Sequence, residues 1–328
     1  MSDKVEFNNS TRSDVFIKLE NGPTLSPTVK SDWRKDKSIM ERNLHMLYSE
    51  TLSDVTLIVG ENTKREIIKA HSFMLASGSS VLCKILSGLS SLQEPISFPD
   101  VEPQAFRKLL EYLYSEKVDI NPSNVSTILR LAKQFNIHGL VNACLAYLEH
   151  YITDETVCAV LDRAIQFQHQ DLINKCLRYI DKNTASVMKT KSFKHASFDC
   201  IMKIVPRDSL IVREDELFDG LMEWAFTKCE KLKLAKTSQN ARQMLGEAFY
   251  HVRFPMMNPQ NFTNKVANIA ILNDAEKVDL FRYFYGDEKP TMRFSDKPRQ
   301  WNKRASGILF IKPHPDIFSQ GSLGSNMF

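Results

Sequence analysis

The chain has 328 residues, 43% apolar and 25% charged, with 43 Lys plus Arg against 39 Asp plus Glu and a formal net charge of +4. These are ordinary globular values, so wholesale disorder is excluded, and the length predicts two domains of about 100–200 residues each. Mild basicity without a concentrated patch is weak ground for nucleic-acid binding, and only 11 Gly argues against a turn-rich β-sandwich or propeller and for helices.

The six Cys (Cys83, Cys144, Cys158, Cys176, Cys200, Cys229) form no C-x-x-C pair, which speaks against a zinc ribbon or a thioredoxin-like motif. Most fall among helical apolar positions, so they read as buried, reduced thiols of a cytoplasmic protein, with the nucleus as a second setting. The polar N-terminus has no apolar core of a signal peptide. No apolar run approaches the ~18 residues of a membrane span.

Residues 1–36 show no period and read as a disordered arm. Ser38-Ile39-Met40-Glu41 has the form of a capping box, followed by Met40, Leu44, Leu47 and Tyr48 on one helical stripe. From Asp54 to Gly60 the period becomes two, with Val55, Leu57 and Val59 on one face. Glu61–Lys64 turns the chain and Arg65–Lys69 returns as a second strand. A helical stretch spans His71–Leu86, a third strand Pro95–Phe98, and Pro103 opens a further helix striped by Phe106, Leu109, Leu110 and Leu113.

Beyond residue 121 every segment reads as helix. Asn121-Pro122 is expected to supply the cap and first residue of one helix, and Thr153 the cap of another. Later stripes run through Val157, Val160, Leu161, Ala164 and Phe167, and through Leu217, Leu221, Trp224 and Ala225. Arg213-Glu214-Asp215-Glu216 reads as a helix first turn, where negative charge meets the positive end of the dipole. The fold class is therefore α+β, then all-α, built as stacked helical hairpins. Residues 287–305 hold six Lys/Arg against three Asp/Glu and show no stripe, so they read as a basic linker.

The chemical motifs searched for are absent. There is no phosphate-cradling G-x-x-x-x-G-K-[ST], no G-x-G-x-x-G, no G-x-S-x-G and no H-E-x-x-H. No metal or organic cofactor is called for. Cys200 with His195 could form a nucleophile pair in space, but scattered Cys and His produce such neighbours by chance. Trp301 among Arg299, Lys303 and Arg304 interleaves an aromatic with basic residues, as single-strand binders do, though a solvated linker explains it better.

The element order, with Leu52-Ser53-Asp54-Val55, Ala70-His71-Ser72-Phe73-Met74-Leu75-Ala76-Ser77, and Phe98-Pro99-Asp100-Val101-Glu102-Pro103-Gln104-Ala105-Phe106, resembles a BTB/POZ domain. The helices after it resemble a BACK domain. The resemblance rests on Leu161-x-x-Ala164-x-x-Phe167, Leu210-x-Val212-x-x-Glu216-Leu217 and Val252-Arg253-Phe254-Pro255-Met256. It is strongest toward the BTB-BACK-PHR group. It implies a BTB/POZ domain over 37–150, a helical BACK domain over 151–286 and a tail over 287–328, too short for a PHR β-sandwich.

Members of that group act as substrate adaptors of cullin-3 RING ubiquitin ligases. The resemblance therefore implies a non-enzymatic homodimer that binds cullin-3 through its BTB domain and a protein substrate elsewhere. It places Met40, Leu44, Leu47, His71 and Phe73 at the dimer interface, although an intramolecular core needs the same stripe. It places Leu89, Tyr114, Phe135 and Ile137 at the cullin contact, with Ser91 standing where the family's hydrophobic-x-Glu motif has Glu. The rival readings are a cullin-independent scaffold or transcriptional co-regulator, and a truncated competitor of longer relatives. A co-regulator would pair the strand Asp with a basic residue after the His, where this chain has Ser72. Trp224 and Phe254-Pro255 read as packing residues.

Overall fold

The computed structural model describes residues 32–92 and 94–300. Helix α1 (Ile39–Ser49) starts at the expected capping box: Ser38 Oγ accepts from the Glu41 N–H and the Glu41 carboxylate accepts from the Ser38 N–H at 2.7 Å. Trp33, placed in the arm by its sequence, stacks on His45 of α1 at 4.2 Å.

Strands β1 (Val55–Val59) and β2 (Glu66–Ala70) form an antiparallel pair in which Leu57 faces Ile68. Strand β3 (Ile96–Phe98) adds to the other edge of β1 in parallel, giving the order β2-β1-β3. The alternation along β1 buries Val55, Leu57 and Val59 against the helices, as a one-faced sheet requires.

The stretch read as one helix over His71–Leu86 is two, α2 (Ser72–Gly78) and α3 (Ser80–Ser87). Ser79 between them is extended at φ −146°. Its hydroxyl caps α3 by accepting from the Leu82 N–H and donates to the Phe135 carbonyl at 2.5 Å. A buried hydroxyl satisfied on both sides favours this break over a continuous helix. Helix α4 (Pro103–Ser115) packs against α1, α2 and α5 (Val125–Gln134). Phe98, Phe106 and Phe135, with centroids 5.4–5.6 Å apart, tie β3, α4 and the end of α5 into one core.

Two expected helix starts fall short of the observed ones. Asn121 and Thr153 open turns, and the helices begin later, at Val125 and at Val157 of α7 (Val157–Gln166). Asn121 Oδ1 accepts from the Ser123 and Asn124 N–H groups, and Thr156 Oγ1 accepts from the Thr153 N–H. Such local side-chain bonds close a turn before the helix can start.

Helix α6 (His138–His150) passes the chain to α7 and α8 (Gln170–Val187), an antiparallel hairpin. Short helices α9 (Lys191–His195) and α10 (Phe198–Ile204) follow. The long α11 (Glu214–Lys231) is the axis of the second unit, and its buried Trp224 donates to the Ala196 carbonyl at 3.0 Å. Helix α12 (Ser238–Leu245) packs on it, the one-turn α13 (Pro259–Phe262) bonds it through Asn261 and Asp215, and α14 (Asp274–Tyr285) packs on the turn Phe254–Met256. An aromatic cluster of Phe218, Phe249, Phe254 and Phe262 fills the space between them.

The segment read as a linker is not one as far as Gln300. Phe294 joins that aromatic cluster, 4.9 Å from Phe254, and Arg299 is buried. Residues 1–31 of the expected arm, Trp301, Lys303 and Arg304 lie outside the described residues.

Candidate interaction surface

A buried network organises the first unit around His71. The Tyr114 hydroxyl lies 2.8 Å from His71 Nδ1 and accepts from the His71 N–H at 2.9 Å, while His71 Nε2 lies 2.7 Å from the Thr51 carbonyl. A carbonyl only accepts, so Nε2 carries the proton. Nδ1 then accepts from the Tyr114 hydroxyl, and every polar atom in the network is matched. Burial pushes the Tyr114 phenol up to about 12, so it stays protonated and can hold that role.

The network brings residues 51–52 against 71–73, and the apolar side chains beside it face solvent. Leu52 is 78% exposed, Phe73 77% and Ile39 68%. Met40 and Tyr48 of α1 are also exposed. Nothing among the described residues covers this ridge of exposed apolar side chains. Of the five residues expected at a dimer interface, Met40 and Phe73 lie on the ridge. Leu44 is half-buried and packs on the core. Leu47 and His71 lie in the interior of the chain, where α1 packs on α4 and the ring of His71 is engaged by Tyr114 and Thr51.

The four expected cullin contacts divide in the same way. Leu89, just past α3, is half-buried and reachable. Tyr114, Phe135 and Ile137 are buried and offer no side-chain surface. Phe135 belongs to the aromatic core and holds α3 through its carbonyl. Between Phe135 and Ile137, Asn136 takes φ +54° and faces solvent, its amide donating to Ser80 Oγ at 2.8 Å.

Asp54 accepts from the Ser72 hydroxyl at 2.5 Å and from the Ser72 N–H at 2.7 Å. Burial raises its carboxyl, and these bonds outweigh the burial and leave it below the ordinary value. The strand Asp is thus held by a hydroxyl rather than by a cation.

A second surface lies where the two units meet. A cleft of about 450 Å³ runs between α5 and α6 on one side and α7 and α9 on the other. Tyr147 and Tyr151, stacked at 5.7 Å, line one wall with Leu148, while Val160 and Arg163 line the other. Arg163 donates across the seam to Ser126 at 2.7 Å.

Cys200 and His195 do not form a nucleophile pair. Cys200 is fully buried, its thiol pushed well above the ordinary value by its bond with Cys158 and by burial, while His195 aims Nδ1 at the Lys191 carbonyl. Burial also pushes Cys144 and Cys176 up to about 12, the opposite of what a nucleophilic thiol needs. Among the described residues no group of three His, Cys, Asp or Glu could hold a metal ion, and no helix is long and apolar enough to cross a membrane.

Sequence reasoning missed one constellation, the buried Glu214–Arg299 pair, whose guanidinium and carboxylate meet at 2.6 Å. The sequence marked Glu214 as a helix first turn and Arg299 as part of a basic linker, with no sign that the two meet, and the Arg253 main chain bonds the same carboxylate.

A sheet of three short strands capped by helices, followed by a helical unit around one long axis, is a two-unit architecture, α+β and then all-α. The chain carries a BTB/POZ domain, matched over residues 44–152, followed by a BACK domain (BTB And C-terminal Kelch), matched over 157–267. It is 32% identical over 264 residues to BTB/POZ domain-containing protein 6-A of Danio rerio, covering 80% of this chain and 49% of that protein. It is 33% identical over 266 residues to BTB/POZ domain-containing protein 6 of Xenopus laevis, covering 80% and 50%. With BTB/POZ domain-containing protein 3 of Homo sapiens it shares 31% over 264 residues, 80% and 51% of the two chains. The chain thus spans about half the length of the curated relatives it matches. BTB-BACK domains are typically non-enzymatic, and the names of these relatives imply no enzymatic activity.

Proposed function

We propose that this protein is a dimeric, non-enzymatic adaptor that brings a protein substrate to a cullin-3 RING ubiquitin ligase, with ubiquitin transfer left to partner subunits. The observation that carries the reading is the pair of separate surfaces on one chain: the uncovered ridge of Ile39, Met40, Leu52 and Phe73, and the tyrosine-lined cleft at the BTB–BACK seam. An exposed apolar ridge calls for a partner, and a second copy of the chain meets it with the same surface. The cleft and Leu89 supply a second contact of the apolar and aromatic kind that anchors protein interfaces.

Tyr114, Phe135 and Ile137 support this contact from beneath by fixing α3 and the exposed Asn136. A transcriptional co-regulator role has less support, because Asp54 is engaged by Ser72 and no Lys or Arg among the described residues pairs with it.

The test is co-purification of the full chain with the cullin-3 N-terminal region. Leu89→Asp and Tyr151→Asp should each weaken binding about tenfold or more, or ~1.4 kcal/mol. A wild-type chain that does not bind ends the adaptor reading, and one that elutes at the monomer mass in size-exclusion chromatography ends the dimer.

A further inference from the structure

Beyond α14 the chain turns back and lies along the second unit. Arg293 makes a bidentate pair with Glu247 at 2.8 and 2.9 Å, and Phe294 enters the aromatic cluster. The Lys297 carbonyl accepts from Arg253 Nη1 at 2.9 Å, and the Gln300 N–H donates to the Asp208 carbonyl at 2.8 Å. Between these anchors Arg299, only 1% exposed, enters a closed pocket.

The pocket offers its guest only acceptors. Arg299 Nε donates to Glu214 Oε1 at 2.6 Å and Nη2 to Glu214 Oε2 at 3.3 Å. Nη1 donates to the Val205 and Arg207 carbonyls at 3.1 and 2.5 Å, and Nη2 also to the His251 carbonyl at 3.3 Å. These five bonds use all five N–H donors of a guanidinium, in its plane. An ammonium has three donors and no plane, and it would leave acceptors unmatched.

The pocket walls are built without the segment that fills them. Glu214 opens the 18-residue α11, and its Oε2 is held by the Arg253 N–H at 3.0 Å. Two of the three carbonyls follow buried packing: Val205 at the end of α10, and His251 beside the buried Val252. A carboxylate and three carbonyls converging on one buried volume form a site whose cation comes from a segment far along the chain.

We propose that this pocket is a guanidinium receptor and that residues 292–300 are a strap docked into it by Arg299, so that a free guanidinium compound can take the place of that side chain. The ligand class is a planar guanidinium, which in a protein means arginine. When the strap leaves, Phe294 uncovers Phe249 and Phe254, and an aromatic surface opens on the BACK domain.

The test uses the full chain carrying Arg299→Ala, titrated with methylguanidinium up to about 20 mM, where guanidinium denaturation is negligible. Melting of the BACK domain and amide exchange of residues 292–300 are followed together. The variant should melt about 6–20 °C below wild type. Methylguanidinium should restore several degrees saturably, with no gain for wild type, for Arg299→Ala combined with Glu214→Gln, or for tetramethylammonium, which has no donors.

Exchange across 292–300 should stay fast while stability recovers, because the small ligand fills the pocket without tethering the strap. Should the variant not fold alone, its refolding yield with and without methylguanidinium gives the same answer. Unchanged melting of Arg299→Ala, or lowered melting or yield that methylguanidinium does not restore, overturns the proposal.

Discussion

The ridge on the BTB domain and the strap on the BACK domain are opposites. At the ridge, large apolar side chains such as Leu52 and Phe73 stand in water beside a satisfied buried network. At the strap, a charged pair is buried, with Glu214 5% exposed, and every donor of its guanidinium is used. The first departs from hydrophobic burial, and nothing among the described residues covers it. The second departs from charge exposure because its cover is part of the described chain. Side-chain type alone therefore predicts the wrong location at both, and what decides is whether complementary groups arrive from elsewhere in the fold.

The strongest test of this contrast is Glu214→Ala. It leaves the Arg299 guanidinium buried without its counter-ion and should cost about 3–5 kcal/mol in thermal denaturation, the usual effect of removing one partner of a buried pair. A loss below about 1 kcal/mol, the usual range of exposed pairs, would place the strap at the surface. Phe135→Ala removes the ring that joins β3, α4 and α5 and should cost about 3–5 kcal/mol as well. A stable Phe135→Ala chain that had lost only partner binding would show that Phe135 acts at a contact rather than in the core.

A smaller effect is expected at Asp54. Its carboxyl is lowered in the folded chain, so the stability it adds is full above the ordinary value of 3.8 and is lost as pH falls through the folded value. Ser72→Ala removes the lowering bond, so the acid unfolding midpoint, followed by circular dichroism, should move to higher pH. The smallest effect on stability belongs to Phe73→Glu, within about 0.5 kcal/mol because the side chain is already in water. The same substitution should abolish the proposed dimer in size-exclusion chromatography. A large loss of stability instead would show that Phe73 packs within its own chain.

Local patterns carried the fold a long way. The α1 capping box, the alternation of β1 and the stripes of α4, α7 and α11 rest on contacts a few residues apart, so they stand in the linear chain. The misplaced helix starts at Asn121 and Thr153 show the limit even there. The same side chains can cap a helix or close a turn, and spacing does not separate the two.

The candidate surface was half legible. Met40, Phe73 and Leu89 are reachable where the resemblance placed them, whereas Leu47, His71, Tyr114, Phe135 and Ile137 are inside. A helical stripe records that one face is apolar and does not say whether the chain's own core or another molecule covers it.

By itself, then, the amino-acid sequence determined the element order, the two domain types and the lack of catalytic motifs, since each is written in short-range periodicity or in residues at fixed spacing. Only the tertiary structure decided which stripes turn inward, that Ser79 splits one helical stretch into two, and that Arg299 ends in a pocket 85 positions from Glu214. The physical reason is the same throughout. Burial and hydrogen-bond matching are summed over groups that meet only after folding, so a Leu, a Tyr or an Arg has no fixed environment until its partners from distant segments are in place.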